Sequence, residues 1–143
     1  MSKDLKDLSK ISDFENIFEF ELNEVLTWGN NDREKREVIH QSAYSEIPKR
    51  LSTENYVWGF KIYFTKNKNS KHRCDVDNIP KLILDSFSKK LVEEDNSKVE
   101  EAGLYEDDSL EYVKFIEVYG DLGEEDKVLI EVYRKKIRKN KEV

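Results

Sequence analysis

Apolar and polar residues alternate through Phe18-Glu19-Phe20-Glu21-Leu22, with the even positions apolar, and this period of two predicts a half-buried strand over residues 16 to 27. Gly29-Asn30-Asn31 ends it. From Asp32 to about Leu51 the period lengthens. Ile39, Ala43, Ile47 and Leu51 recur every four residues as the buried stripe of a first helix, which Pro48 breaks or ends before Leu51. Alternation returns between Val57 and Thr65, where Trp58, Phe60, Ile62 and Phe64 share one face of a second strand. A polar loop, Lys66 to Lys71, follows. Ile79, Leu82, Ile83 and Phe87 then make the apolar face of a second helix that has Asp77 as N-cap and Pro80 in its first turn and runs to about Leu91. Asp77, Lys81 and Asp85, spaced by four, share its polar face. Leu110 to Tyr119 and Val128 to Arg134 read as two more strands, joined by a turn around Gly120-Asp121-Leu122-Gly123. The order β-α-β-α-β-β predicts an α/β (α+β) fold in which helices pack against a single mixed sheet.

A chain of 143 residues with 37% hydrophobic content buries one core, so residues 1–143 are expected to form one domain, with 1–15 and 135–143 as tails. The longest apolar run, Val128-Leu129-Ile130, is far short of a membrane span, and MSKDLKDLSKISDF has neither the apolar core nor the cleavage site of a secretory signal. The one cysteine, Cys74, permits no internal disulfide and suits a reducing compartment. A cytoplasmic protein without a membrane partner is the expectation.

A net charge of -6 argues mildly against a nucleic-acid partner, but the charges are sorted into blocks. Lys61, Lys66, Lys68, Lys71 and Arg73 fall in a stretch without acids, and Arg134 to Lys141 is basic. Between them, eight carboxylates lie from Glu93 to Asp108 against the single Lys98. Each block alone is equally well read as a solvated surface. Two further acids, Asp75 and Asp77, stand one residue apart just before the second helix. Like charges that close raise each other's pKa, so such a pair is either well solvated or neutralised by a cation. The calcium loop of an EF-hand fails on Ile79, Pro80 and Ser86, and no P-loop or zinc spacing is present. A purely structural account keeps Asp77 as a cap, Asp75 in solvent and Lys81 paired with Asp77 or Asp85. Alternatively, Glu106-Asp107-Asp108 folds back beside the first pair, and three carboxylates converge as hard oxygen ligands for Mg²⁺ or Mn²⁺.

Asp75-Val76-Asp77-Asn78-Ile79-Pro80-Lys81, followed by Asp85 on the same helix and by Asp107-Asp108 leading into a strand, resembles the signature of the RusA-like Holliday-junction resolvases. The resemblance implies a homodimeric, Mg²⁺-dependent endodeoxyribonuclease, with Mn²⁺ as a possible substitute, that cuts four-way DNA junctions by paired nicks. By that similarity Asp75, Asp77 and Asp108 are the catalytic metal ligands and Lys81 the catalytic lysine, either stabilising charge or taking a proton from water. Lys66, Lys68, Lys71 and Arg73 are the expected DNA contacts. The chain departs from the family in an acidic insertion over 89–103, read as an exposed loop or a helical extension, and in Trp28-Gly29-Asn30-Asn31-Asp32 where many relatives are rich in Pro and Arg. The alternative from another class is a non-catalytic DNA- or protein-binding member of the same fold.

Overall fold

The alternating stretches become four strands, β1 (Glu15–Leu22), β2 (Tyr56–Asn67), β3 (Val113–Gly123) and β4 (Lys127–Lys136). In the computed structural model, which describes residues 4–9, 13–71 and 74–137, they form one mixed sheet in the order β1-β4-β2-β3. β2 and β3 are parallel, and the other neighbours are antiparallel. A parallel pair needs a crossover. Here it is made by α2 (Asn78–Ser86) and α3 (Lys89–Glu94), while α1 (Asp32–Ala43) joins β1 to β2. Among the described residues no helix is long and apolar enough to cross a membrane.

Register sorts the sheet into rows. Phe18, Val132, Phe60 and Ile116 make one, and Phe20, Ile130, Ile62 and Val118 the next. Apart from Ile116, which is exposed at the β3 edge, these rows join Ile39 and Ala43 of α1, Ile79, Leu82 and Ile83 of α2, and Phe87 in one core. On the opposite face, Glu19, Glu131, Lys61 and Glu117 share a row that carries three acids to one base. That row is unfavourable for phosphate.

Several boundaries differ from the periodicity, each for a tertiary reason. β1 stops at Leu22 because its partner strand does: Leu22 pairs with Val128, and β4 begins at Lys127. α1 ends at Ala43, yet a tight turn in which Glu46 and Ile47 donate to the Ala43 carbonyl still returns Ile47 to the core. Gly120 to Gly123 do not form the predicted turn but continue β3 beside Phe64 to Asn67. A side chain at Gly120 would begin 2.2 Å from the Phe64 ring, so that glycine serves close approach rather than chain reversal. The second helix breaks at Phe87 and Ser88, where Ser88 is extended and the Phe87 carbonyl accepts N–H groups from Leu104 and Tyr105.

The acidic segment 89–103 is a helical extension, folded into the core through Val92, Val99 and Ala102 rather than an exposed loop. Arg36 of α1 grips Asp95 with two hydrogen bonds, of 2.6 and 2.9 Å, and Arg33 donates to the Asp95 carbonyl at 3.0 Å. Arg33 and Arg36 are therefore spent on holding this segment. Next to them the buried His40 bridges α2 and the segment. Its Nε2–H donates to the Ser86 carbonyl, and its Nδ1 lies 2.8 Å from the Ser97 hydroxyl, for whose one proton Nδ1 and Glu37 Oε1, at 3.1 Å, compete.

Burial holds His40 below its ordinary value of 6.5, against the pull of the Ser86 carbonyl, Glu37 and Asp95, with Arg36 adding to the depression. The folded protein therefore binds this proton less well than the unfolded chain. The stabilising contribution is complete above about pH 6.5 and is lost as pH falls toward the folded value. Melting temperatures of the wild type should fall between about pH 7 and about pH 5.5. In His40→Gln the slope over that window should be shallower, and an unchanged slope would show that His40 is not its source.

Candidate active site

The turn that launches α2 carries the paired aspartates. The Asn78 N–H donates to the Asp75 carbonyl at 3.1 Å, and Pro80 lies in the first helical turn, where its missing N–H leaves no bond unmade. Asp77 occupies the N-cap position but with helical backbone angles (φ -73°, ψ -16°) and no side-chain capping bond. This corrects the expected cap. The carboxylates of Asp75 and Asp77 are both at the surface.

One turn further on, the Lys81 ammonium stands 3.3 Å from Asp85 Oδ1 and 3.5 Å from Asp108 Oδ2. Lys81 is thus paired with Asp85 rather than Asp77. Asp108 reaches it although the chain leaves the helix for the long segment between, because that excursion is closed at its stem. Leu104 N–H donates to the Phe87 carbonyl at 2.9 Å, and Lys89 N–H to the Tyr105 carbonyl at 2.7 Å. The Ser88 hydroxyl donates to the Glu106 carbonyl at 3.1 Å. Tyr105, buried, fixes the return by donating its hydroxyl to the Leu84 carbonyl at 2.7 Å. These stem contacts fix where Asp108 arrives.

Asp107 faces elsewhere. Its carboxylate accepts from the Ser109 N–H at 2.9 Å, and hydrogen bonding to Ser109 holds it below the usual carboxylate range. The division between these neighbours arises in a loop, since β3 begins only at Val113.

Burial works against the charge on Lys81, but attraction to Asp85 and Asp108 outweighs it and its pKa is raised. Burial pushes the Asp85 carboxyl up, with Asp108 adding to the push and Lys81 and Arg36 opposing it. The pairing therefore favours the lysine's charge more than it relieves the buried acid. An ammonium gripped by two carboxylates is a poor proton acceptor and a well-placed positive charge.

Among the described residues no three His, Cys, Asp or Glu side chains are grouped ready to hold a metal ion. Asp75, Asp77 and Asp108 are therefore not a pre-assembled cage. Their chemistry still fits a hard divalent cation, because Mg²⁺ keeps several waters and takes one or two carboxylates plus substrate phosphate oxygens. The uncapped Asp77 and the exposed Asp75 are oxygen donors of that kind.

The basic loop is partly engaged. Lys66 pairs with Asp126 at 3.0 Å, and the same carboxylate accepts the Asn67 N–H at 2.7 Å, so this lysine ties β2 to the turn that connects β3 to β4. Lys68 pairs with Glu124 at 2.8 Å on the open surface, a contact that a phosphate can replace. Lys71 is exposed. Arg73 and the basic tail from residue 138 onward lie outside the described residues. Asp126 left no local signal in the sequence, whereas the spacing of Lys81 and Asp85 did. No family model, curated protein or solved structure matches the chain.

Proposed function

We propose that this chain is a Mg²⁺-dependent endodeoxyribonuclease that resolves four-way DNA junctions by paired nicks, acting as a homodimer. The observation that carries the reading is the seating of Lys81 against Asp108 across the closed stem, one helical turn from the uncapped Asp77. A purely structural role for Asp77 is less economical, since Asp77 makes no side-chain capping bond and Lys81 pairs with Asp85 instead.

In this mechanism Asp75, Asp77 and Asp108 would hold the cation, which when bound polarises the phosphodiester and lowers the pKa of a coordinated water. Lys81 supplies positive charge where negative charge develops on the phosphorus oxygens during attack. Lys68 and Lys71 contact flanking phosphates. Two copies related by a two-fold axis would present two such sites to a two-fold junction.

Incubation of the purified protein with an end-labelled four-way junction should give symmetric nicks in Mg²⁺ and none in EDTA. Absence of cleavage in Mg²⁺ and in Mn²⁺, with junction binding intact, would instead favour a binding protein of the same fold.

A further inference from the structure

Asp85 shares the side of α2 that carries the half-exposed Lys81, yet it is itself only 9% exposed. Burying an acid is costly, and the attraction of the half-exposed Lys81 and of Arg36 does not offset that cost, since the Asp85 carboxyl is still pushed up. Stability therefore does not explain the residue. Its geometry does: Lys81 and Asp85 lie four residues apart on α2, whose Ile79, Leu82 and Ile83 are anchored in the core, so the carboxylate is a fixed point for a flexible ammonium. Asp108, by contrast, arrives on a loop.

We infer that Asp85 is the positioning residue for Lys81: it holds the ammonium over the helix so that Lys81 faces Asp108 and the scissile phosphate, without itself touching substrate. This rests on the nuclease reading above and deepens it. An Asp85→Ala protein keeps its lysine but lets the side chain wander, and that costs rate rather than binding, because the charge is wanted in the transition state.

The test is a double-mutant cycle on junction cleavage with Asp85→Ala, Asp85→Asn, Lys81→Ala and the Lys81→Ala/Asp85→Ala pair. Asp85→Ala should lower kcat by about 10- to 100-fold, the loss expected when the partner of a functional group is removed, with KM and metal-free junction affinity unchanged. Asp85→Asn, which keeps an acceptor and the shape, should fall between Asp85→Ala and wild type. In the Lys81→Ala background the second substitution should add no further loss. A readout independent of activity is the ¹³C resonance of reductively methylated Lys81. It should stand apart from those of exposed lysines in the wild type and join them in Asp85→Ala. Wild-type kcat in Asp85→Ala, or losses that simply add to that of Lys81→Ala, would overturn the inference while leaving the nuclease reading standing. A wild-type protein that fails to nick junctions would overturn both.

Discussion

Asp108→Asn should reduce junction nicking by on the order of 10³-fold or more while junction binding stays at or above the wild-type level. The amide has the shape of the carboxylate but none of its charge, so it is a poor ligand for a hard cation and repels phosphate less. The half-exposed Asp108 lies on a loop, and Lys81 retains Asp85 as a partner, so stability should change by less than about 0.5 kcal/mol. Asp107→Asn is the matched control. Its carboxylate faces the Ser109 N–H and not Lys81, and it should cleave at close to the wild-type rate. A dead Asp107→Asn beside an active Asp108→Asn would exchange their roles and remove the geometric basis of the site. Equal wild-type activity in both would remove the site altogether.

That the two neighbours differ at all illustrates which information was legible in the sequence. Element order followed from periodicity because every apolar stripe, from Phe18 and Phe20 through Ile39 and Ala43 to Leu82 and Phe87, is buried in the same core. Strand order was not legible. The parallel pairing of β2 with β3 depends on how the crossover packs, which no local pattern encodes. Gly120 shows the same limit at one residue: read locally it marks a turn, but its partner is the Phe64 ring on the neighbouring strand. In the candidate site, the spacing of Lys81 and Asp85 was visible on one helix, whereas the arrival of Asp108 depends on Tyr105 and Ser88 closing a stem over 18 residues or more. The engagement of Lys66 by Asp126 spans 60 residues and is equally silent locally. Charge blocks overstated the basic surface for that reason, since they counted side chains without their partners.

The largest loss of stability should come from Phe87→Ala. Phe87 is fully buried at the point where α2 gives way to α3, and its ring meets those of Phe18 and Phe20 from β1, Phe60 from β2 and His40 from α1, with centroids 5.9 to 6.4 Å apart. Truncation removes contacts to three elements at once, and their backbones are held by sheet and helix hydrogen bonds and cannot collapse into the space. The expected cost is about 3 to 5 kcal/mol, a large share of the roughly 5 to 15 kcal/mol that holds a domain folded. In a thermal melt that corresponds to a drop of roughly 10 to 20 °C. Phe87→Leu refills much of the volume and should lose far less. The comparison also bears on the site, because the Phe87 carbonyl accepts the Leu104 and Tyr105 N–H groups that return the chain toward Asp108. If the stem positions Asp108, Phe87→Ala measured well below its melting temperature should cleave more slowly than Phe87→Leu, with the two proteins equally folded. A loss below about 1 kcal/mol for Phe87→Ala, read from urea unfolding at unchanged m-value, would mean that this ring is not the joint between helix and sheet.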